Sequence, residues 1–346
     1  MTLQRAWYSA LRWYVRLGLR FYYKKIVIHG RENIPGGPVI FAANHQNAFM
    51  DALMIVCFND HITHFLTRAD IFKNPLARWV LNSLNMIPIY RMRDGLGSLS
   101  ENQKTFDICS ERLFVGDAVV IFPEGNHGSH RRVRSISKGF TRIAFDAIQK
   151  YPGLKVSVVP VGLNYSDPKA FRSSVSVYFG EPLAANDYCD GIDSSGANQL
   201  RFDVGAHLKV LTTHIDDMIR YDEILNELVN SGADFLNPSD TNKQIAAIIE
   251  AGKLPMNSKK ASHTAWSIVQ NAFSSLINFF PLILWGYLRR KIKDPVFTGS
   301  VKFGVGIFLF PAYYLLVTVI IYHVGGALAS ILWIVISLPS MHLRRT

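Results

Sequence analysis

The chain has 346 residues, a net charge of +11 and 49% hydrophobic residues. No Asp, Glu, Lys or Arg occurs from residue 303 to residue 341, a run of 39, and about 20 apolar residues suffice to cross a bilayer, which argues against a purely soluble protein. The charge argues against a nucleic-acid partner: residues 1–31 carry seven cations and no acid, residues 263–346 carry a net +6, and −2 is left on residues 32–262. The cations thus flank the apolar segments, where anionic lipid headgroups attract them.

Residues 3–23 set Arg12, Arg16, Arg20 and Lys24 at four-residue spacing among Trp7, Leu11, Trp13, Leu17 and Phe21. That pattern predicts an amphipathic helix lying on a membrane surface, domain 1–24. Its arginines interrupt any secretory core, so the chain is expected to start on the cytoplasmic side. From 25 to 183 short β-rich runs alternate with helical segments, predicting strands over 25–29, 39–43, 62–67, 86–90, 118–122, 156–164 and 175–179. Helices are expected over 50–58, 75–84, 99–114 and 139–150, giving an α/β domain with a mixed β-sheet flanked by helices.

Residues 184–260 are more polar and read as a helical appendage and linker, with helices over 199–220 and 241–252 and turns over 190–197 and 237–242. Residues 261–346 form the membrane region. Segment 261–288 is weakened as a span by Asn271 and Pro281 and reads as interfacial or re-entrant. Helices at about 303–322 and 325–340 form a transmembrane hairpin turning near His323 to Gly326. Cys57, Cys109 and Cys189 are odd in number and unpaired in spacing, so neither a disulfide framework nor a zinc site is indicated.

Two constellations carry chemistry. Asn44 and His45 follow the predicted strand 39–43, with Asp51 at the start of the next helix. A histidine leaving a strand end can act as a general base whose other ring nitrogen is held by a carboxylate. The second is Phe122, Pro123, Glu124 and Gly125 at the end of a buried strand. There Gly125 allows a sharp turn, and Arg131, Arg132, Arg134 and Lys138 downstream suit a phosphate. His127 and His130 read as loop histidines, with no metal triad around them.

These residues resemble a known family, the glycerophospholipid acyltransferases, which include lysophosphatidate and glycerol-3-phosphate acyltransferases. Four blocks match in order: His45 with Asp51; the run Ile87, Pro88, Ile89, Tyr90 and Arg91; Phe122 to Gly125; and Val158 to Gly162. Lys138 and Gly139 resemble the Lys-Gly pair that follows the third block. The resemblance implies direct transfer of an acyl chain from acyl-coenzyme A or acyl carrier protein to a glycerol-phosphate hydroxyl, with no cofactor and no metal. It further implies catalytic roles for His45 and Asp51, and substrate-binding roles for Asn44, Arg91, Glu124, Gly125 and Lys138. The expected partners are membrane lipids and the acyl carrier, and the expected place is an integral membrane protein with its catalytic domain on the cytoplasmic face. Five residues separate His45 from Asp51 where most members have four, which resembles the fungal-type enzymes acting on glycerol-3-phosphate. The extra residue shifts the carboxylate on its helix, leaving Asn44 or a backbone carbonyl as alternative orienting groups. A catalytically inactive lipid-binding or scaffold protein retaining the fold is the competing reading.

Overall fold

The computed structural model describes residues 3–90, 98–189, 195–251 and 265–343. An eight-stranded sheet runs in the order β1 (Lys25–His29), β7 (Ser174–Phe179), β6 (Ser157–Tyr165), β2 (Val39–Ala43), β5 (Ala118–Ile121), β3 (Thr63–Arg68) and β4 (Met86–Ile89), with the short β8 (Leu183–Ala184) beside β6. Strands β6, β2, β5, β3 and β4 are mutually parallel, while β7 and β8 run antiparallel to β6. The expected mixed α/β sheet is therefore observed.

Every residue of β2 is buried, as a strand covered on both faces must be, and this is why it reads as an unbroken apolar run. Alternation splits its side chains between two cores. Val39, Phe41 and Ala43 pack with Met50 and Met54 of α2 (Phe49–Cys57), while Ile40 and Ala42 pack with Phe106 of α4 (Ser98–Phe114) and Phe140 and Ile143 of α5 (Gly139–Lys150). Helix α3 (Pro75–Ser83) leads into β4.

The first core extends into both flanking arms. Leu19 and Tyr22 of α1 (Leu3–Tyr22), and Phe303 and Ile307 near the start of α11 (Thr298–Leu343), belong to it. Helix α1 is thus docked along one face: the Tyr8 hydroxyl accepts from the Thr63 amide at 3.1 Å, and Arg12 donates to the His61 carbonyl at 3.0 Å. Its other face leaves Trp7 and Trp13 exposed at 52% and 65%.

Helix α6 (Ser195–Leu211) lies in the span read from sequence as an appendage, yet Leu200, Val204 and Leu208 complete the second core. It stops at Leu211 rather than continuing to Arg220, because the Asn164 side chain accepts from the Thr213 amide and donates to the Leu211 carbonyl. Helices α7 (Tyr221–Asn230) and α8 (Pro238–Ala251) carry the separate small core of Ile224, Leu228, Ile245 and Ile248. The turn expected over 237–242 is the start of α8, with Pro238 at the first helical position and the Asn237 side chain accepting from the Asp240 amide. The turn expected over 190–197 falls largely outside the described residues.

Helices α9 (Ala265–Ile277) and α10 (Phe279–Arg289) meet at a 94° bend. Helix α11 is broken at Gly326, whose backbone is left-handed at φ 77°. Beyond it the chain folds back: the rings of Tyr313 and Trp333 lie 6.5 Å apart, whereas 20 residues of straight helix would separate them by about 30 Å. Asn278, at the bend, ties both limbs by donating to Ser340 and accepting from Tyr314. The α11 segment is long and apolar enough to cross a membrane, and only 6% of its most apolar 18-residue stretch is covered by the rest of the protein.

Candidate active site

The carboxyl ends of β2 and β5 are neighbours, Ala42 standing opposite Ile121, so the loops that follow them meet at one edge of the sheet. In open α/β sheets that edge is where ligands bind. His45 leaves β2 and stacks its ring on Phe122, with centroids 4.0 Å apart and planes within 13°. The Gly128 amide donates to the His45 carbonyl at 3.0 Å, joining the two loops.

Asp51 reaches His45 in spite of the extra residue. Its Oδ2 lies 2.9 Å from His45 Nδ1 and accepts from the backbone amides of Gln46 at 2.9 Å and Asn47 at 2.7 Å. The insertion is absorbed at Ala48, which takes φ 44°, ψ −126° and lets the chain loop around the carboxylate before α2 begins. Asp51 sits in the first turn of α2, where backbone amides and the helix dipole favour an anion. Oδ1 accepts from the Tyr165 hydroxyl at 2.7 Å, so a carboxylate with no exposed surface has four donors, and a charge buried so deeply needs such pairing. Burial, followed by the Asp51 charge, pushes the Tyr165 hydroxyl well above its usual pKa and keeps it a donor.

Two expectations look different in the structure. The Asn44 side chain does not orient His45: buried at 1% exposure, it donates to the Leu163 carbonyl at 3.0 Å and accepts from the Leu163 amide at 2.7 Å, clamping β2 to β6. The arginines after β5 are held by protein groups. Arg131 stacks on Phe235 at 3.8 Å and donates to the Tyr165 carbonyl, and burial lowers its pKa to about 10. Arg132 pairs with Asp216, and Arg134 with Glu124 at 2.6 Å and with Asn126.

Glu124 follows β5 with its side chain 2% exposed. One oxygen takes the Arg134 pair and the other is buried without a hydrogen-bond partner in the protein. Burial raises its pKa, against the opposing pull of Arg134 and then His45. Gly125 closes the turn at φ 76°, its amide donating to the Phe122 carbonyl. Lys138 is exposed at the start of α5, beside this loop because the Ser137 amide bonds the Pro123 carbonyl. Arg91 lies outside the described residues, following a strand whose carboxyl end shares this sheet edge.

Two residues that sequence reasoning missed, Tyr165 and Asp294, and one it read as a loop histidine, His127, converge here. Tyr165 ends β6. His127 stands edge-on to His45, centroids 5.8 Å apart, and its Nε2 lies 2.9 Å from Asp294 Oδ2. That contact holds the Asp294 carboxyl below its usual pKa. Asp294 precedes α11 and is the sole acid in residues 263–346, a signal that it needed a partner. Phe297 packs on His127 at 4.9 Å, and a side chain at Gly299 would lie 2.7 Å from Asn47 Oδ1. Among the described residues no group of three His, Cys, Asp or Glu is placed to hold a metal ion.

A histidine held by a buried carboxylate at the carboxyl ends of parallel strands is an arrangement that can act as a general base. Residues 25–164 match the family model described as Acyltransferase. It is 31% identical over 143 residues to the chloroplastic 1-acyl-sn-glycerol-3-phosphate acyltransferase LPAT1 of Arabidopsis thaliana, covering 40% of this chain and 36% of that protein. It is 38% identical over 88 residues to glycerol-3-phosphate O-acyltransferase 2 of Saccharomyces cerevisiae, covering 25% of this chain and 12% of that one. The match thus spans well under half the length of these relatives. The crystal structure of the 1-acyl-sn-glycerophosphate acyltransferase PlsC from Thermotoga maritima covers 60% of this chain and 80% of its own, at 23% identity and a TM-score of 0.44.

Proposed function

We propose that this chain is a membrane-bound O-acyltransferase that moves a fatty acyl group from an acyl thioester, acyl-coenzyme A or acyl carrier protein, to a hydroxyl of a glycerol-phosphate acceptor. The observation that carries the reading is the His45–Asp51 pair at 2.9 Å. Asp51 Oδ2 already accepts two backbone N–H groups, so it takes the proton of His45 Nδ1 as a third hydrogen bond, and Nε2 keeps its lone pair. Nε2 removes the acceptor hydroxyl proton as that oxygen attacks the thioester carbonyl. The C–O bond forms, the tetrahedral centre collapses, the C–S bond breaks, and the proton passes from His45 to the departing thiolate. A base so placed is typically worth about 10²- to 10⁴-fold in rate.

Glu124 and Gly125 shape the acceptor pocket in this reading, with Lys138 and Arg91 as its phosphate ligands. The apolar hairpin crosses the bilayer and returns, keeping the sheet edge and the basic segment before α11 on the cytoplasmic face, where charged thioesters are available. The names of the plant and yeast relatives support a glycerol-phosphate acceptor. The test is thiol release from acyl-coenzyme A by the purified chain in vesicles, with glycerol-3-phosphate and lysophosphatidate as alternative acceptors. Release that depends on one of them is expected, and release indifferent to acceptor removes the reading.

A further inference from the structure

A cavity of about 680 Å³ lies away from the sheet edge, between α1, α10 and both limbs of the α11 hairpin. That size falls in the range of roughly 300–1,000 Å³ common to small-molecule sites. Leu17 and Phe21 of α1, Trp285 of α10, Phe303 and Phe310 of the first limb and Leu338 of the second form its apolar wall. Arg289 and Lys302 are the only Asp, Glu, Lys or Arg residues in that lining, and both are cations. They stand at the same end: Lys302 Nζ donates one hydrogen bond to the Lys169 carbonyl at 2.8 Å and lies 5.5 Å from the Trp285 ring, one turn of α10 before Arg289. From Phe303 to Thr318 the cavity follows the first limb for about 22 Å. One lipid chain fills half of a hydrocarbon core of about 30 Å, so a single chain fits lengthwise.

The cationic end is also the end nearest the catalytic loops. Lys302 follows by one helical turn the segment in which Phe297 packs on His127 and Gly299 lies against Asn47. We infer that this cavity is the bilayer entrance for a monoacyl glycerophosphate: it takes the fatty chain while Arg289 and Lys302 hold the phosphate, before the headgroup passes to Lys138 and Arg91 at the sheet edge. The inference rests on the acyl-transfer reading and narrows its acceptor to a lipid. An apolar shaft alone would take any lipid tail; the paired cations at the mouth select an anionic head.

Gly306 supplies a clean obstruction, because it lines the cavity and a Cβ added there meets no atom within 4 Å. The experiment uses the full chain in phosphatidylcholine vesicles with lysophosphatidate bearing a photoreactive group on its chain, and maps the labelled peptides. Labelling of α10 and the first limb is expected, falling about tenfold in Gly306→Leu. Replacing both cations, Arg289→Gln with Lys302→Gln, should abolish the preference over the same chain on a choline headgroup. Labelling insensitive both to Gly306→Leu and to the headgroup means bilayer lipid alone and overturns the inference. Labelling displaced by acyl-coenzyme A in the absence of turnover assigns the cavity to the donor chain and overturns it too. Should Gly306→Leu fail to fold, the charge variants still decide. Labelling requires no catalysis, so this result and the thiol-release result can fail independently.

Discussion

Two His–Asp pairs stand almost side by side, and they are built in opposite ways. His45 and Asp51 are six residues apart in sequence, and the carboxylate is fully buried with four donors. His127 and Asp294 are 167 residues apart, and the Asp294 side chain is 47% exposed. The first pair is part of the domain core and fixes the orientation of the His45 ring. The second joins the catalytic loop to the arm that leads into the apolar hairpin, in water that screens it. In the proposed function the chemistry belongs to the buried pair, and the exposed pair seats the arm.

Breaking the buried pair should have the largest effect. Asp51→Asn removes the charge that holds His45 Nδ1, so the turnover number should fall on the order of a hundredfold while the Michaelis constants stay nearly constant. Steady-state kinetics on the folded variant check this, and an unchanged turnover number would place the orienting contact elsewhere.

Next comes the seam between domain and arm. At Gly299 a Cβ would lie 2.7 Å from Asn47 Oδ1 and 2.8 Å from the Pro168 carbonyl, so Gly299→Val must lift the start of α11 from the loop. Overpacking of this kind costs about 1–3 kcal/mol, and a roughly tenfold loss of acyl transfer with His45 and Asp51 intact is expected. Activity equal to the parent chain would separate the arm from the site.

The pH dependence of stability sharpens the contrast within the second loop. Burial raises the Glu124 pKa above its unfolded value, so folding favours the protonated form. That contribution is complete below the ordinary carboxylate range and is lost as the pH rises through the raised value. Glu124→Gln removes this titration. Unfolding measured along a pH series should show the variant gaining on the parent chain as the pH rises across that window, and a constant difference would contradict the assignment.

The smallest effect belongs to the exposed pair. Asp294→Asn should change stability by no more than about 1 kcal/mol, and less in high salt. A loss of activity as large as that of Asp51→Asn would make His127 a second reacting group.

The same contrast explains what could be read in advance. Strands 25–29 and 39–43 and helix 139–150 fall where predicted because local pattern and burial agree there. His45 with Asp51 was legible because both partners sit on one strand–loop–helix unit, although nothing local showed that Ala48 would turn to φ 44° and rescue the longer spacing. Tyr165 and Asp294 reach the site only through tertiary contact. The arginines after β5 were misread because a basic run shows charge but not partners, and Phe235, Asp216 and Glu124 come from elsewhere in the fold. The helix expected over 199–220 ends at Leu211 because Asn164 of a distant strand bonds the chain there, and nothing local marks that stop.

The most direct test of the central claim is acceptor-dependent thiol release by His45→Ala in the same vesicles as the parent chain. Loss of about 10²- to 10⁴-fold in rate, with unaltered folding and vesicle attachment, is the result this account predicts. Activity within tenfold of the parent chain would contradict it.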